Sequence, residues 1–61
     1  MEEHYLIILC QDKHSTPHNC YADSIKTAEE VYRLASKEGM MASICFGTPG
    51  HYKTVKKNFS F

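Results

Sequence analysis

The chain has 61 residues, enough for one small domain and too few for a second, so residues 1–61 are read as a single unit. With 43% hydrophobic and 23% charged residues it has the composition of a folded chain rather than of a disordered, collagen-like or low-complexity one. Seven basic residues balance seven acidic ones, which removes any general electrostatic pull toward nucleic acid or anionic lipid.

Tyr5-Leu6-Ile7-Ile8-Leu9-Cys10 is a continuous apolar run whose length and β-branched content predict a first strand. It is far shorter than the ~20 residues that span a bilayer. Met1-Glu2-Glu3-His4 is acidic where a secretory leader is positively charged, so the expectation is a cytoplasmic protein with free thiols. Residues 11–19 lack apolar side chains and have the composition of a loop. Cys20-Tyr21-Ala22-Asp23-Ser24-Ile25 alternates weakly and predicts a second, edge strand.

Thr27-Ala28-Glu29-Glu30 has capping-box spacing and predicts a helix start at Thr27, with Ser24 as a rival cap three residues earlier. Ala28, Val31, Tyr32 and Ala35 form its apolar stripe, with Leu34 on the shoulder. Glu29, Glu30, Arg33 and Lys37 face water, and Glu29 and Arg33 stand four apart in the favourable order. Gly39 supplies the left-handed stop.

Residues 40–46 alternate as a third strand, with Met40, Ala42, Ile44 and Phe46 on one side and Met41, Ser43 and Cys45 on the other. Gly47-Thr48-Pro49-Gly50 is a turn, and residues 52–59 return as a fourth strand. The expected fold is α+β: a β-β-α-β-β antiparallel sheet with one helix packed on one face, its strand order open. Strand one is apolar on both sides, whereas one helix covers only one of them. A homodimer or a partner protein is therefore expected on the other, with fold-back of the long loop or the C-terminal segment as the alternative.

Four metal-ligating residue types, Cys10, His14, His18 and Cys20, fall within eleven positions, so a Cys₂His₂ zinc site is a candidate, although no Cys-x-x-Cys knuckle is present. The alternative is two cysteines packed as small hydrophobes and two solvated histidines, with no cofactor. The same residues, with Cys45 and His51, offer a cysteine–histidine pair, but no phosphate-gripping glycine loop, nucleophile elbow or paired-histidine metal helix accompanies it. The expectation is no enzymatic activity.

His51, Tyr52, Lys53, Lys56, Lys57, Phe59 and Phe61 interleave base and ring, the pattern of a single-stranded nucleic-acid binder. On a regular strand Tyr52 shares a side with Lys56, and Phe59 with Lys53 and Lys57, which splits rings from lysines. The competing reading is an edge strand guarded by lysines. His4 is expected to be an exposed residue ahead of the first strand. Charge is unevenly distributed along the chain. Residues 1–30 hold six acids against two lysines, and the remainder five basic residues against Glu38, so the two halves sum to −4 and +4.

With its Thr27-Ala28-Glu29-Glu30-Val31-Tyr32-Arg33-Leu34-Ala35 helix set between two hairpins, the plan over residues 5–57 resembles small phage-encoded host-takeover proteins, which include inhibitors of bacterial RNA polymerase. That resemblance implies a stoichiometric inhibitor of a larger protein or nucleoprotein complex. The expected function is accordingly that of a small interaction protein, itself a dimer, contacting its partner through Tyr21, Met41, Tyr52, Lys53, Lys56 and Lys57. Tyrosine and methionine supply apolar anchors, and the lysines steer the approach.

Overall fold

A computed structural model describes residues 2–60. The elements run β1 (His4–Cys10), β2 (His18–Ala22), α1 (Ile25–Lys37), β3 (Met41–Gly47) and β4 (Lys53–Lys57). They form an antiparallel sheet of order β2-β1-β3-β4 with the helix packed against it, an α+β fold. β1 is thus an inner strand, and the helix carries the chain from β2 on one side of it to β3 on the other.

The register shows which residues meet the helix. Ile7 pairs with Cys20 on one side and with Ile44 on the other. Ile7 and Ile44 are fully buried, and with Ala22 and Ala28 they make the core, against which Tyr5, Leu9, Cys20, Val31 and Tyr32 pack. Burying each isoleucine contributes about 1.5–3 kcal/mol. Ala28 and Ala35 are the buried helix positions, and their methyls let the helix lie close to the sheet. Leu34, on the shoulder of the stripe, is 52% exposed.

Several boundaries differ from the sequence expectation: β1 takes in His4, and β3 runs Met41–Gly47 rather than 40–46. β2 begins at His18 and ends at Ala22, because Ser24 and Ile25 belong to the helix start rather than to the strand. Ser24, not Thr27, is the N-cap: its hydroxyl oxygen accepts the Thr27 amide at 3.2 Å, and Thr27 is the third helical residue. β4 is shortened to Lys53–Lys57 and carries an irregularity. The helix stop follows expectation, with Gly39 at φ 80° and the Met40 amide donating to the Ala35 carbonyl at 3.0 Å.

Asn58 ties the end of the chain to the helix. Its Oδ1 accepts the Ala42 amide at 2.9 Å, while Nδ2 donates to Ser36 Oγ at 2.8 Å and to the Met40 carbonyl at 2.9 Å. No helix among the described residues is long and apolar enough to cross a membrane.

Candidate interaction surface

The helix takes the side of the sheet bearing Tyr5, Ile7, Leu9, Ala42 and Ile44. The opposite side carries His4, Leu6, Ile8 and Cys10 of β1, Asn19 and Tyr21 of β2, and Met41, Ser43 and Cys45 of β3. Thr54 and Lys57 complete it on β4. The chain encloses the middle of this face through its own lateral packing. Leu6, set between Tyr21 and Cys45, is only 7% exposed. Strand one is therefore less naked than its sequence suggests. Ile8, Cys10 and Met41 remain half-buried, and Tyr21 is 65% exposed.

One end of the face is aromatic. The His4 ring meets Tyr21 edge-on at 5.6 Å and Tyr52 at 5.5 Å between centroids. The Tyr52 hydroxyl lies 2.6 Å from His4 Nε2. His4 Nδ1 is 3.0 Å from the Glu2 carbonyl, which only accepts, so Nδ1 carries a proton. In neutral imidazole Nε2 is then the acceptor, and the phenol donates to it. Burial raises the Tyr52 phenol above its ordinary value of 10.0, and Tyr21 and Cys45 push in the same direction. Beside these rings, Glu2, Glu3, His4, Tyr21, Asp23 and Pro49 line an open cleft of about 420 Å³.

The lysines separate differently from expectation. Phe46 pairs with Lys53, Cys45 with Thr54 and Ile44 with Lys56, which leaves Val55 outside the ladder as a bulge. Counting by twos fails at that residue. Lys53 and Lys56 lie on the helix side, whereas Tyr52, Thr54 and Lys57 lie on the helix-free side. Lys56 is engaged, 3.6 Å from the Glu29 carboxylate and 5.0 Å from the centre of the Tyr32 ring. Glu29, placed four residues before Arg33, thus reaches across to β4. Lys57 lies 5.5 Å from the centre of the Phe59 ring. Of the six predicted contact residues, Tyr21, Met41, Tyr52 and Lys57 share the helix-free side, and Lys53 and Lys56 do not.

The zinc candidates do not converge. Cys10 is on the helix-free side, its thiol donating to the Ser15 carbonyl at 3.2 Å, whereas His18 and Cys20 occupy positions on the helix side. Period-two alternation puts Cys10 and Cys20 on opposite faces, so one ion does not take both. Among the described residues no group of three or more His, Cys, Asp or Glu side chains is placed to hold a metal. His14 stays in the loop, its amide bonded to Asp12 Oδ1 at 2.8 Å.

His4, expected to be merely exposed, organises the aromatic end. The signal was present in its parity, which matches that of Leu6 and Ile8. Compared with protein-family models, with curated proteins and with solved structures, the chain matches none.

Proposed function

We propose that this chain is a small, non-enzymatic binding protein of the cytoplasm that inhibits or regulates a larger protein or nucleoprotein complex. It docks through its helix-free sheet face. The observation that carries this reading is Tyr21, 65% exposed on a face where Ile8, Met41 and Tyr52 are only half-buried. A rigid ring and an adaptable methionine exposed on one face have the composition of interface anchors, and such groups left in water bring a domain of this size no stability. The resemblance in plan to small phage-encoded host-takeover proteins, read from the sequence, favours inhibition among the binding roles. A tagged-chain capture from host lysate tests it, comparing wild type with Tyr21→Ala/Met41→Ala and with Lys53→Ala/Lys56→Ala. A partner held by wild type and by the lysine variant but lost by the face variant is the expected result. A partner retained by the face variant refutes the reading.

One observation favours a second reading. The Val55 bulge brings Lys57 onto the same side as Tyr21 and Tyr52, which a regular strand would not do, and rings with a nearby cation suit single-stranded nucleic acid. Titration with labelled oligonucleotides at low salt separates the two: binding lost in Lys57→Ala supports it, and absence of binding removes it.

A further inference from the structure

The outer strand β2 is open along its free margin. His18-Asn19-Cys20-Tyr21-Ala22 pairs with β1 on one side only, in unbroken register from Leu9 with His18 to Tyr5 with Ala22. It holds none of the devices that close an edge to another strand: no lysine, carboxylate or proline lies within it, and no bulge interrupts it. Its outward backbone N–H and C=O groups are therefore a template for one more extended segment.

The surroundings select the charge of that segment. Tyr21, 65% exposed, lines the cleft of about 420 Å³ whose charged wall residues are all acidic. Asp23 enters it from the residue directly after β2, and Glu2 and Glu3 enter from the segment ahead of β1. Among the described residues these three carboxylates have neither an ion-pair nor a hydrogen-bonding partner. An exposed ring bordered by unneutralised carboxylates suits the ammonium of lysine or the guanidinium of arginine.

We infer that β2 takes an extended, arginine- or lysine-bearing segment of a partner protein as a fifth strand of the sheet. The inference rests on the reading that the Tyr21 side is a contact surface, and it adds where the partner's backbone lies and which side chain it brings. A strand added ~4.8 Å from β2 puts every second side chain on the helix-free side, level with Asn19 and Tyr21. A basic side chain there runs its stem along the Tyr21 ring and carries its charge toward Asp23, with Glu2 and Glu3 strengthening the field. Backbone pairing supplies affinity, and the cleft supplies selectivity against acidic segments. A second copy of β2 fits less well, because it brings no lysine or arginine to the margin.

The probe is a short labelled peptide alternating threonine and arginine. It is titrated with the intact chain from about 10 μM to about 1 mM at low salt, followed by fluorescence anisotropy and by backbone amide NMR. Binding is expected, with amide shifts concentrated on residues 18–22, and a peptide alternating threonine and glutamate is expected not to bind. Glu2→Gln/Glu3→Gln/Asp23→Asn, which changes only exposed positions, is expected to weaken the arginine peptide about threefold to tenfold. N-methylation of the peptide separates strand addition from loose attraction of charge. Methylating all arginine amides or all threonine amides blocks one outward row each, so one set is expected to abolish binding and the other to spare it. Absence of binding at about 1 mM, equal binding of the glutamate peptide, undiminished binding by the neutralised variant, or a like effect of the two methylated sets overturns the inference. Self-association of the wild type that protects the β2 amides and excludes the peptide gives the margin to a second copy and overturns it as well. If any of these occurs while Tyr21→Ala/Met41→Ala still loses a captured partner, the docking reading stands and only the basic segment is wrong.

Discussion

The imidazole of His4 and the phenol of Tyr52, 48 positions apart in the chain, meet at 2.6 Å across a backbone that carries no side chain between them. His4 pairs in the ladder with Gly47, and Gly47 is followed by the turn that leads back to Tyr52. The two rings close over the glycine, joining the first strand to the start of the last without direct strand pairing.

Tyr52 gives the chain a pH dependence at the alkaline end. Its phenol ionises near 10 when unfolded and higher when folded, so above pH 10 the unfolded chain releases the proton first. The contribution of this group is whole below that pH and is lost as pH climbs through the folded value. Urea unfolding between about pH 8 and about pH 11 is expected to show a steeper alkaline loss for wild type than for Tyr52→Phe. Parallel slopes would contradict the burial of the phenol.

Gly47 is the least replaceable glycine. Its φ is 145°, and a methyl placed there would press on the His51 carbonyl. Gly47→Ala is expected to cost about 1–3 kcal/mol and to lower the thermal midpoint by roughly 5–20 °C. Gly39→Ala, which meets nothing within 4 Å but shares a positive φ, is expected to cost less, about 1 kcal/mol. Thermal unfolding of the two variants checks the order.

Asn58 is expected to be a stability hot spot despite its exposed position. Asn58→Asp keeps an acceptor for the Ala42 amide, and its second oxygen accepts from the Ser36 hydroxyl, but that oxygen also faces the Met40 carbonyl, where a donated hydrogen bond gives way to repulsion. Both Asn58→Asp and Asn58→Ala are expected to destabilise by about 1–3 kcal/mol in chemical denaturation, with the aspartate variant recovering on acidification as its carboxyl becomes a donor.

The cap assignment is checked by a pair of alanines. Ser24→Ala removes the acceptor of the Thr27 amide and is expected to cost about 1 kcal/mol. Thr27→Ala, which loses only the 3.1 Å hydroxyl contact to Ser24, is expected to cost less. The reverse order would return the helix start to Thr27.

The fold was legible where periodicity is strong and each residue counts once. The alternation of Ala42, Ile44 and Phe46, the stripe from Ala28 to Ala35 and the stop at Gly39 all carry their own local cause. The helix start was not, because Ser24 and Thr27 are both good caps and their choice depends on where β2 releases the chain. The side occupied by the lysines was illegible for a different reason: nothing in Lys53-Thr54-Val55-Lys56-Lys57 marks Val55 as the residue that leaves the ladder. The separation of Cys10 from Cys20 follows from the hairpin register, which the sequence leaves open. Opposite Cys20 in a hairpin stands Ile7, three residues from Cys10, and an odd offset reverses the face.

Val55 also bears on which margin of the sheet can accept another strand. A surplus residue amid three lysines makes the β4 margin a poor template for another strand, so growth by successive strand addition is closed on that side. Addition of a further strand is left to the β2 margin.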